Sequence, residues 1–177
     1  NYGKKKGFEL DEMYHIVDGL NIIKYVMGEE EYLKTKTRVD EIFTNSEFRI
    51  GICHGDFHSK NLMKNSENKT FVIDFDCFRK ESIQEFDAIY FMLQYIVDID
   101  KNIWWHEALR QFDKQIETNP EYRLFLSEFI DFSNIKELKI LYFLDRIGQD
   151  AKYAKNYDTL PKEDIIKTIK AIGLKND

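Results

Sequence analysis

Apolar residues recur at helical spacing over most of the chain. Near its start, apolar residues occur every three or four positions, at Met13, Ile16, Val17, Leu20, Ile23 and Met27. This spacing predicts a helix, and Gly28 is its expected stop. The same spacing predicts a more charged helix over 29–43 and further helices over 86–98, 102–117, 121–132, 135–154 and 162–172. Thr159 is the expected N-cap of the last helix, and Gly173 is its expected stop. The pattern therefore predicts a mainly α-helical body.

Between residues 48 and 80 the pattern changes to short β-like runs. Residues 48–53 predict a strand that leads to His54, and two further short strands are expected at 61–64 and 70–73, on either side of a polar segment. An irregular stretch is expected after Asp76. The sequence therefore predicts a small β island inside a helical body, in one compact domain.

Composition narrows the classes of function. The 177 residues include 26 Lys and Arg against 32 Asp and Glu, and the formal net charge is −6. Nucleic-acid-binding proteins show a basic face, and a membrane span needs about 20 apolar residues in a row; neither is present in the sequence. The two cysteines, Cys53 and Cys77, have neither the number nor the spacing of a disulfide framework. We therefore expect a cytoplasmic protein that binds no nucleic acid and does not span a membrane.

The chemically suggestive residues lie on or beside the β island. His54 and Asp56 are followed by Asn61, so one loop can present a carboxylate and an amide oxygen together. An apolar strand then ends in Asp74 and Asp76, and one hairpin between Asn61 and Asp74 would bring the loop and these carboxylates together. Phosphoryl transfer needs such a set, because one carboxylate orients the acceptor hydroxyl while amide and carboxylate oxygens hold Mg²⁺.

These motifs resemble a known family. HGDFHSKN followed by VIDFD resembles the signature of the aminoglycoside phosphotransferase and choline kinase superfamily, which has a protein-kinase-like fold. The resemblance implies an ATP- and Mg²⁺-dependent kinase that acts on a hydroxyl of a small molecule, such as an aminoglycoside, choline or a related amino alcohol or sugar. It further implies that Asp56 is the catalytic base and that Asn61 and Asp74 are the Mg²⁺ ligands.

The resemblance also assigns supporting roles around these three residues. It implies that His54 supports the loop and that Asp76 lies next to the metal site. The later segment Glu85-Phe86-Asp87-Ala88-Ile89 resembles the Phe-Asp-hydrophobic motif of choline kinase-like members. The resemblance implies that Asp87 braces the catalytic loop from the following helix. His58 and Lys60 are interpreted as ordinary loop residues, although Lys60 is within reach of a phosphate.

The position of the loop in the chain suggests which part of such a kinase is present. The β-rich, ATP-binding N-lobe of the family should precede the catalytic loop, whereas the residues before the short strand at 48–53 predict helices. We therefore interpret the chain as a kinase-like C-lobe, with a helical lead-in at 1–48, the catalytic loop and metal hairpin at 49–80 and a helical acceptor-side subdomain at 81–177. We expect an N-lobe to act in cis or in trans, and the chain alone to be inactive as a kinase.

Two other functions remain open from the sequence. One is a metal-dependent hydrolase that uses a cluster of Cys53, His54, Asp56, His58 and Cys77. It leaves Asn61 and the IDFD segment unexplained. The other is a non-catalytic relative of these kinases, such as a binding or spore-coat-type protein. The intact acidic motif argues against such a loss of catalysis.

The acceptor is not identified by the sequence. Acidic side chains on the predicted helices are available for a cationic acceptor, namely Asp98, Asp100, Glu107, Asp145 and Asp150, but nothing in the pattern selects among them. The pair Trp104-Trp105 suggests an aromatic cage for a quaternary ammonium group. Adjacent helical residues point in different directions, so at most one could face a ligand, and packing is the favoured interpretation.

Overall fold

The computed structural model of the chain describes residues 4–5, 10, 13–99, 103, 105–154 and 157–174. It divides into two compact units, which we name by their content. The loop unit contains Phe48–Phe132, and the terminal unit contains Lys4–Glu47 and Ser133–Asp177. The chain is mostly helical with a few short strands, so the mainly α fold class with a small β island is confirmed. The predicted division into three functional segments stays a prediction.

The elements follow one another in chain order as β1 (Lys4–Lys5), α1 (Tyr14–Met27), α2 (Glu29–Asn45), β2 (Phe48–Cys53), β3 (Leu62–Lys64), β4 (Thr70–Val72), β5 (Arg79–Ile83), α3 (Glu85–Ile99), α4 (Trp105–Thr118), α5 (Pro120–Ser127), α6 (Ile135–Tyr153) and α7 (Lys162–Ala171). Single 3₁₀ turns lie at Ser59–Asn61, Phe132–Asn134 and Tyr157–Thr159.

The terminal unit is built around α1, which packs against α2, α6 and α7. Two glycines permit the close approach of α1 and α6. A Cβ added at Gly19 would collide with the backbone of Leu144, and one added at Gly148 would collide with the carbonyl oxygen of His15. The two helices therefore touch through their backbones at two points, which only residues without a side chain allow.

The loop unit combines two antiparallel strand pairs with three helices. β2 pairs with β5, where Ile50 lies opposite Ile83, and β3 pairs with β4, where Met63 lies opposite Phe71. α3 packs against β2 and α4, and α4 packs against α5. Buried apolar side chains from strands and helices form the core of this unit and include Ile50, Ile83, Phe86, Phe112 and Leu126.

Most helix predictions are confirmed to within one or two residues. α1 ends at Met27, and Gly28 follows with a positive φ of 94°, a conformation that glycine tolerates best. Gly173 likewise has a φ of 74° beyond the end of α7. The fourth helix was predicted to start at residue 102. Residues 100–102 and 104 lie outside the described residues, so this start is not tested. No described helix is long and apolar enough to cross a membrane.

Three local predictions are wrong. The stretch expected to be irregular contains strand β5, because its backbone pairs with β2. The helix predicted over 121–132 ends at Ser127. Thr159 does not cap the last helix: it ends a 3₁₀ turn, and the N-cap of α7 is Pro161, which offers no side-chain hydrogen bond.

Candidate active site

The loop that begins at His54 is fixed to helix α3 by one carboxylate. Asp87, in the first turn of α3, accepts the backbone N–H of His54 at 2.6 Å and that of Gly55 at 2.9 Å, one with each oxygen. Hydrogen bonds to an ionised acceptor are stronger than neutral ones, so this contact holds the start of the loop firmly. The geometry is the one that bracing by Asp87 requires, and a role in catalysis stays a prediction.

His54 joins the loop to the strand end that precedes Asp74. Its Nδ1 accepts the backbone N–H of Asp56 at 3.3 Å, so the ring proton lies on Nε2, which donates to the carbonyl oxygen of Ile73 at 2.9 Å. The ring is buried and lies 4.7 Å from the ring of Phe75, centroid to centroid. Both ring nitrogens are therefore engaged in the structure of the loop.

Gly55 is required by the shape of this turn. Its φ is 79°, in the left-handed region, and an added Cβ would collide with the carbonyl oxygen of Cys77. Any other residue would be strained and would also displace the segment that carries Cys77.

Asp56 and Asn61 are in contact within the loop. The Asn61 Nδ2 donates to the backbone carbonyl of Asp56 at 2.9 Å and lies 3.4 Å from its carboxylate Oδ2. Because Nδ2 is used in this way, Oδ1 is the side-chain atom of Asn61 that remains for a cation. The Asp56 side chain is 27% exposed, enough for a substrate hydroxyl to reach it.

The hairpin expected between Asn61 and Asp74 is present. The ladder of β3 and β4 is extended by a hydrogen bond from the Ile73 N–H to the Asn61 carbonyl at 3.0 Å, and Asp74 is the next residue. Asp74 and Asp76 are both exposed. Asp74 has a φ of 63°, which few residues other than glycine adopt, although aspartate tolerates it better than most. Such a backbone outlier is typical of functional sites.

His58 makes a contact with Asp56 that the sequence did not predict. Its Nδ1 accepts the backbone N–H of Lys60 at 3.2 Å, which leaves the proton on Nε2, and Nε2 lies 3.5 Å from the Asp56 Oδ2. A His two residues after an Asp was the available hint, but ring orientation cannot be read from spacing. Lys60 extends away to Asp98, with Nζ to Oδ1 at 2.9 Å.

The alternative metal cluster is not assembled. Within the described residues, no three side chains among His, Cys, Asp and Glu converge where a metal ion could bind. Cys53 is buried, and its Sγ accepts a hydrogen bond from Arg79 at 3.8 Å. The structure therefore does not support the hydrolase that would use Cys53, His54, Asp56, His58 and Cys77.

The candidate acceptor acids are mostly engaged in local ion pairs. Asp98 binds Lys60, and Asp150 lies 3.2 Å from Arg146. The hydrogen bond from Arg110 lowers the pKa of Glu107 to about 2.

The remaining candidates add little about the acceptor. Asp145 is buried. Asp100, Trp104 and the side chain of Trp105 lie outside the described part of the chain, so the aromatic cage is untested.

One comparison with known proteins gives a match. Residues 29–83, less than half of the chain, match the model of the phosphotransferase enzyme family APH. The matched segment runs from α2 through the loop that begins at His54 and the hairpin to β5. Searches among curated proteins and among solved structures gave no significant match. The match confirms the resemblance to the aminoglycoside phosphotransferase superfamily and supports a phosphotransferase-type function in general.

Proposed function

We propose that this protein transfers the γ-phosphate of ATP, with Mg²⁺, to a hydroxyl group of a small molecule. One observation carries the proposal: Asp56 and Asn61 are in contact in one loop, and Asp74 directly follows the residue that pairs with Asn61. The contact supports the proposal, because a general base candidate and two possible oxygen donors for a hard cation then belong to one hydrogen-bonded segment. The family match over the same segment supports the reaction class.

In this proposal the Asp56 carboxylate binds the acceptor hydroxyl. It orients the oxygen toward the γ-phosphorus and accepts the hydroxyl proton as the new P–O bond forms and the bond from the γ-phosphorus to the bridging oxygen of the departing ADP breaks. The nearby N–H groups of Asn61 and His58 keep the carboxylate in place, because both lie within 3.5 Å of Oδ2. Positioning of this kind supplies much of the rate enhancement in phosphoryl transfer.

The residues fit a magnesium ion. Mg²⁺ takes six oxygen ligands and commonly binds one or two protein side chains together with water and phosphate oxygens. Asn61 has Oδ1 to offer, and the exposed Asp74 carboxylate forms no hydrogen bond or ion pair with any described residue. Asp76 would contact the ion through water. When bound, the ion would neutralise negative charge on the β- and γ-phosphates.

The acceptor we propose is an aminoglycoside, choline or a related amino alcohol or sugar, and the setting is the cytoplasm. The chain would act as the catalytic C-lobe, with the nucleotide also held by an N-lobe in cis or in trans. Support comes from the motif HGDFHSKN with VIDFD, which resembles the signature of kinases for such acceptors.

The test is a product analysis with the full-length protein. Labelled ATP and Mg²⁺ are incubated with a panel of aminoglycosides, amino alcohols and sugars, and products are separated by mass spectrometry. We expect a phosphate monoester of one acceptor class and ADP, and no product when Mg²⁺ is chelated. Release of free phosphate alone, or no ATP turnover with any member of the panel, would argue against the proposed kinase.

A further inference from the structure

A cavity of about 530 Å³ opens on the surface of the loop unit, beside the catalytic loop. It is about half open to solvent, and its walls come from several elements of one unit, namely β2, the catalytic loop, α3 and the end of α5. Its volume falls within the range of about 300–1,000 Å³ that is usual for small-molecule sites.

The walls are mainly apolar and include four phenylalanines. Phe57 of the loop and Phe91 of α3 form one ring pair, with centroids 5.5 Å apart, and Phe125 and Phe129 form a second, with centroids 5.3 Å apart. Phe125 and Phe129 are exposed to solvent. Exposure of two neighbouring phenylalanines is costly in water, and an apolar body bound in the cavity would cover part of their surface.

The charged groups of the wall are already engaged. Arg49 donates from Nε to Glu85 at 3.0 Å and from Nη2 to the carbonyl oxygen of Phe129. Both oxygens of Asp87 accept backbone N–H groups of the catalytic loop. One positive and one negative side chain line the cavity, so their charges offset each other.

One polar wall group is left for a ligand. The side-chain amide of Gln84 lines the cavity and makes no hydrogen bond with any described residue. An amide both donates and accepts, so it suits a hydroxyl or carbonyl group of an otherwise apolar molecule.

We propose that this cavity is a second ligand site, which binds an uncharged small molecule with an aromatic body and one polar group directed to Gln84. The site differs from the proposed catalytic site, because Asp56, Asn61 and Asp74 do not line it. It is nevertheless coupled to the loop by contact: Phe57 follows Asp56 in the chain, and Asp87 holds the loop backbone.

The test is a binding measurement that requires no enzymatic activity. The ¹⁵N-labelled chain is titrated with 2-naphthol and followed by NMR. A parallel titration uses 2-naphthoate, which has the same naphthalene ring system but carries a negative charge. We expect 2-naphthol to shift amide signals at 84–92 and 125–129 and to raise the Tm, and naphthoate to bind at least tenfold more weakly. Absence of 2-naphthol binding, shifts that map elsewhere, or equal binding of the anion would overturn the proposal.

Two variants locate the binding. Ala88 of α3 lines the cavity, and Ala88→Leu fills part of it, so 2-naphthol binding should be lost, whereas Ala171→Leu at the exposed end of α7 should leave it unchanged. If Ala88→Leu does not fold, Gln84→Met removes the amide at similar size, and 2-naphthol should bind about two- to tenfold more weakly. Unchanged affinity in folded Ala88→Leu or in Gln84→Met would contradict the assignment.

Discussion

At the scale of single residues, His58 gives the sharpest prediction. Its Nε2–H faces the Asp56 carboxylate at 3.5 Å, a distance that can shorten to a hydrogen bond when substrate binds. We expect His58→Leu to lower kcat by about 10- to 100-fold, because a hydrogen bond to a charged group contributes about 1.5–3 kcal/mol. His58→Gln keeps an N–H donor and should restore much of the rate, with KM for the acceptor little changed in both.

Steady-state kinetics of the two His58 variants check this prediction. Equal kcat values for Leu and Gln would show that the ring serves packing alone, and a change confined to KM would place His58 in acceptor binding instead.

The proposed metal ligands can be tested by binding. Asn61→Ala and Asp74→Ala should each weaken Mg²⁺-dependent binding of ATP to the full-length protein, with the larger loss for Asp74, because it contributes a charge as well as an oxygen. Isothermal titration calorimetry measures both affinities. Asp40→Ala, an exposed carboxylate of α2, is the matched control and should bind as the wild type does. Unchanged affinity in both ligand variants would remove Asn61 and Asp74 from the metal site.

The sequence predicted two local features of the candidate site, the proximity of Asp56 to Asn61 and the hairpin that follows. Asp56 and Asn61 lie five positions apart in one loop, and the hairpin that leads to Asp74 follows from chain length. The contact of His58 with Asp56 and the bond from His54 to the Ile73 carbonyl depend on ring orientation, which local pattern does not determine.

At the scale of elements, the contact of α1 with α6 is the most sensitive to substitution. Gly19→Ala should destabilise the protein by about 1–3 kcal/mol, because the new Cβ would collide with the backbone of Leu144. The sign of the change in the free energy of unfolding is informative. At an ordinary helix position, replacing glycine by alanine stabilises a protein by about 0.5–1 kcal/mol.

Urea unfolding of Gly19→Ala measures this change in the free energy of unfolding. Asn21→Ala, at an exposed position of the same helix, is the control and should be neutral or slightly stabilising. A Gly19→Ala variant as stable as the control would show that α1 and α6 do not approach each other closely.

Helices with regularly spaced apolar residues could be predicted from the sequence. Strand β5 and the end of helix α5 could not. β5 begins with Arg79, Lys80 and Glu81, which are not typical strand residues, and it forms because its backbone pairs with β2. α5 ends before the apolar period does. The apolar spacing continues through Phe129 and Ile130, beyond the end of the helix. These two residues are apolar because of their tertiary contacts: Ile130 is buried and Phe129 lines the cavity.

At the scale of the whole molecule, the family match covers only part of the chain, and it does not identify the acceptor. The family match ends at residue 83, just before Asp87, the residue that fixes the loop of His54 and Asp56 to α3. The acceptor could not be predicted, because acidic residues on helices also serve local ion pairs, as Asp98 and Glu107 do.

The central claim is that Asp56 is the base of a Mg²⁺-dependent phosphotransferase. The most direct test compares initial rates of γ-phosphate transfer from ATP by the full-length protein and by its Asp56→Asn variant. Asp40→Asn serves as the matched control, with circular dichroism to verify folding. Loss of a general base typically costs about 10²–10⁴-fold, so we expect a loss of this size for Asp56→Asn and none for Asp40→Asn. A folded Asp56→Asn variant that transfers phosphate at nearly the wild-type rate would contradict this claim.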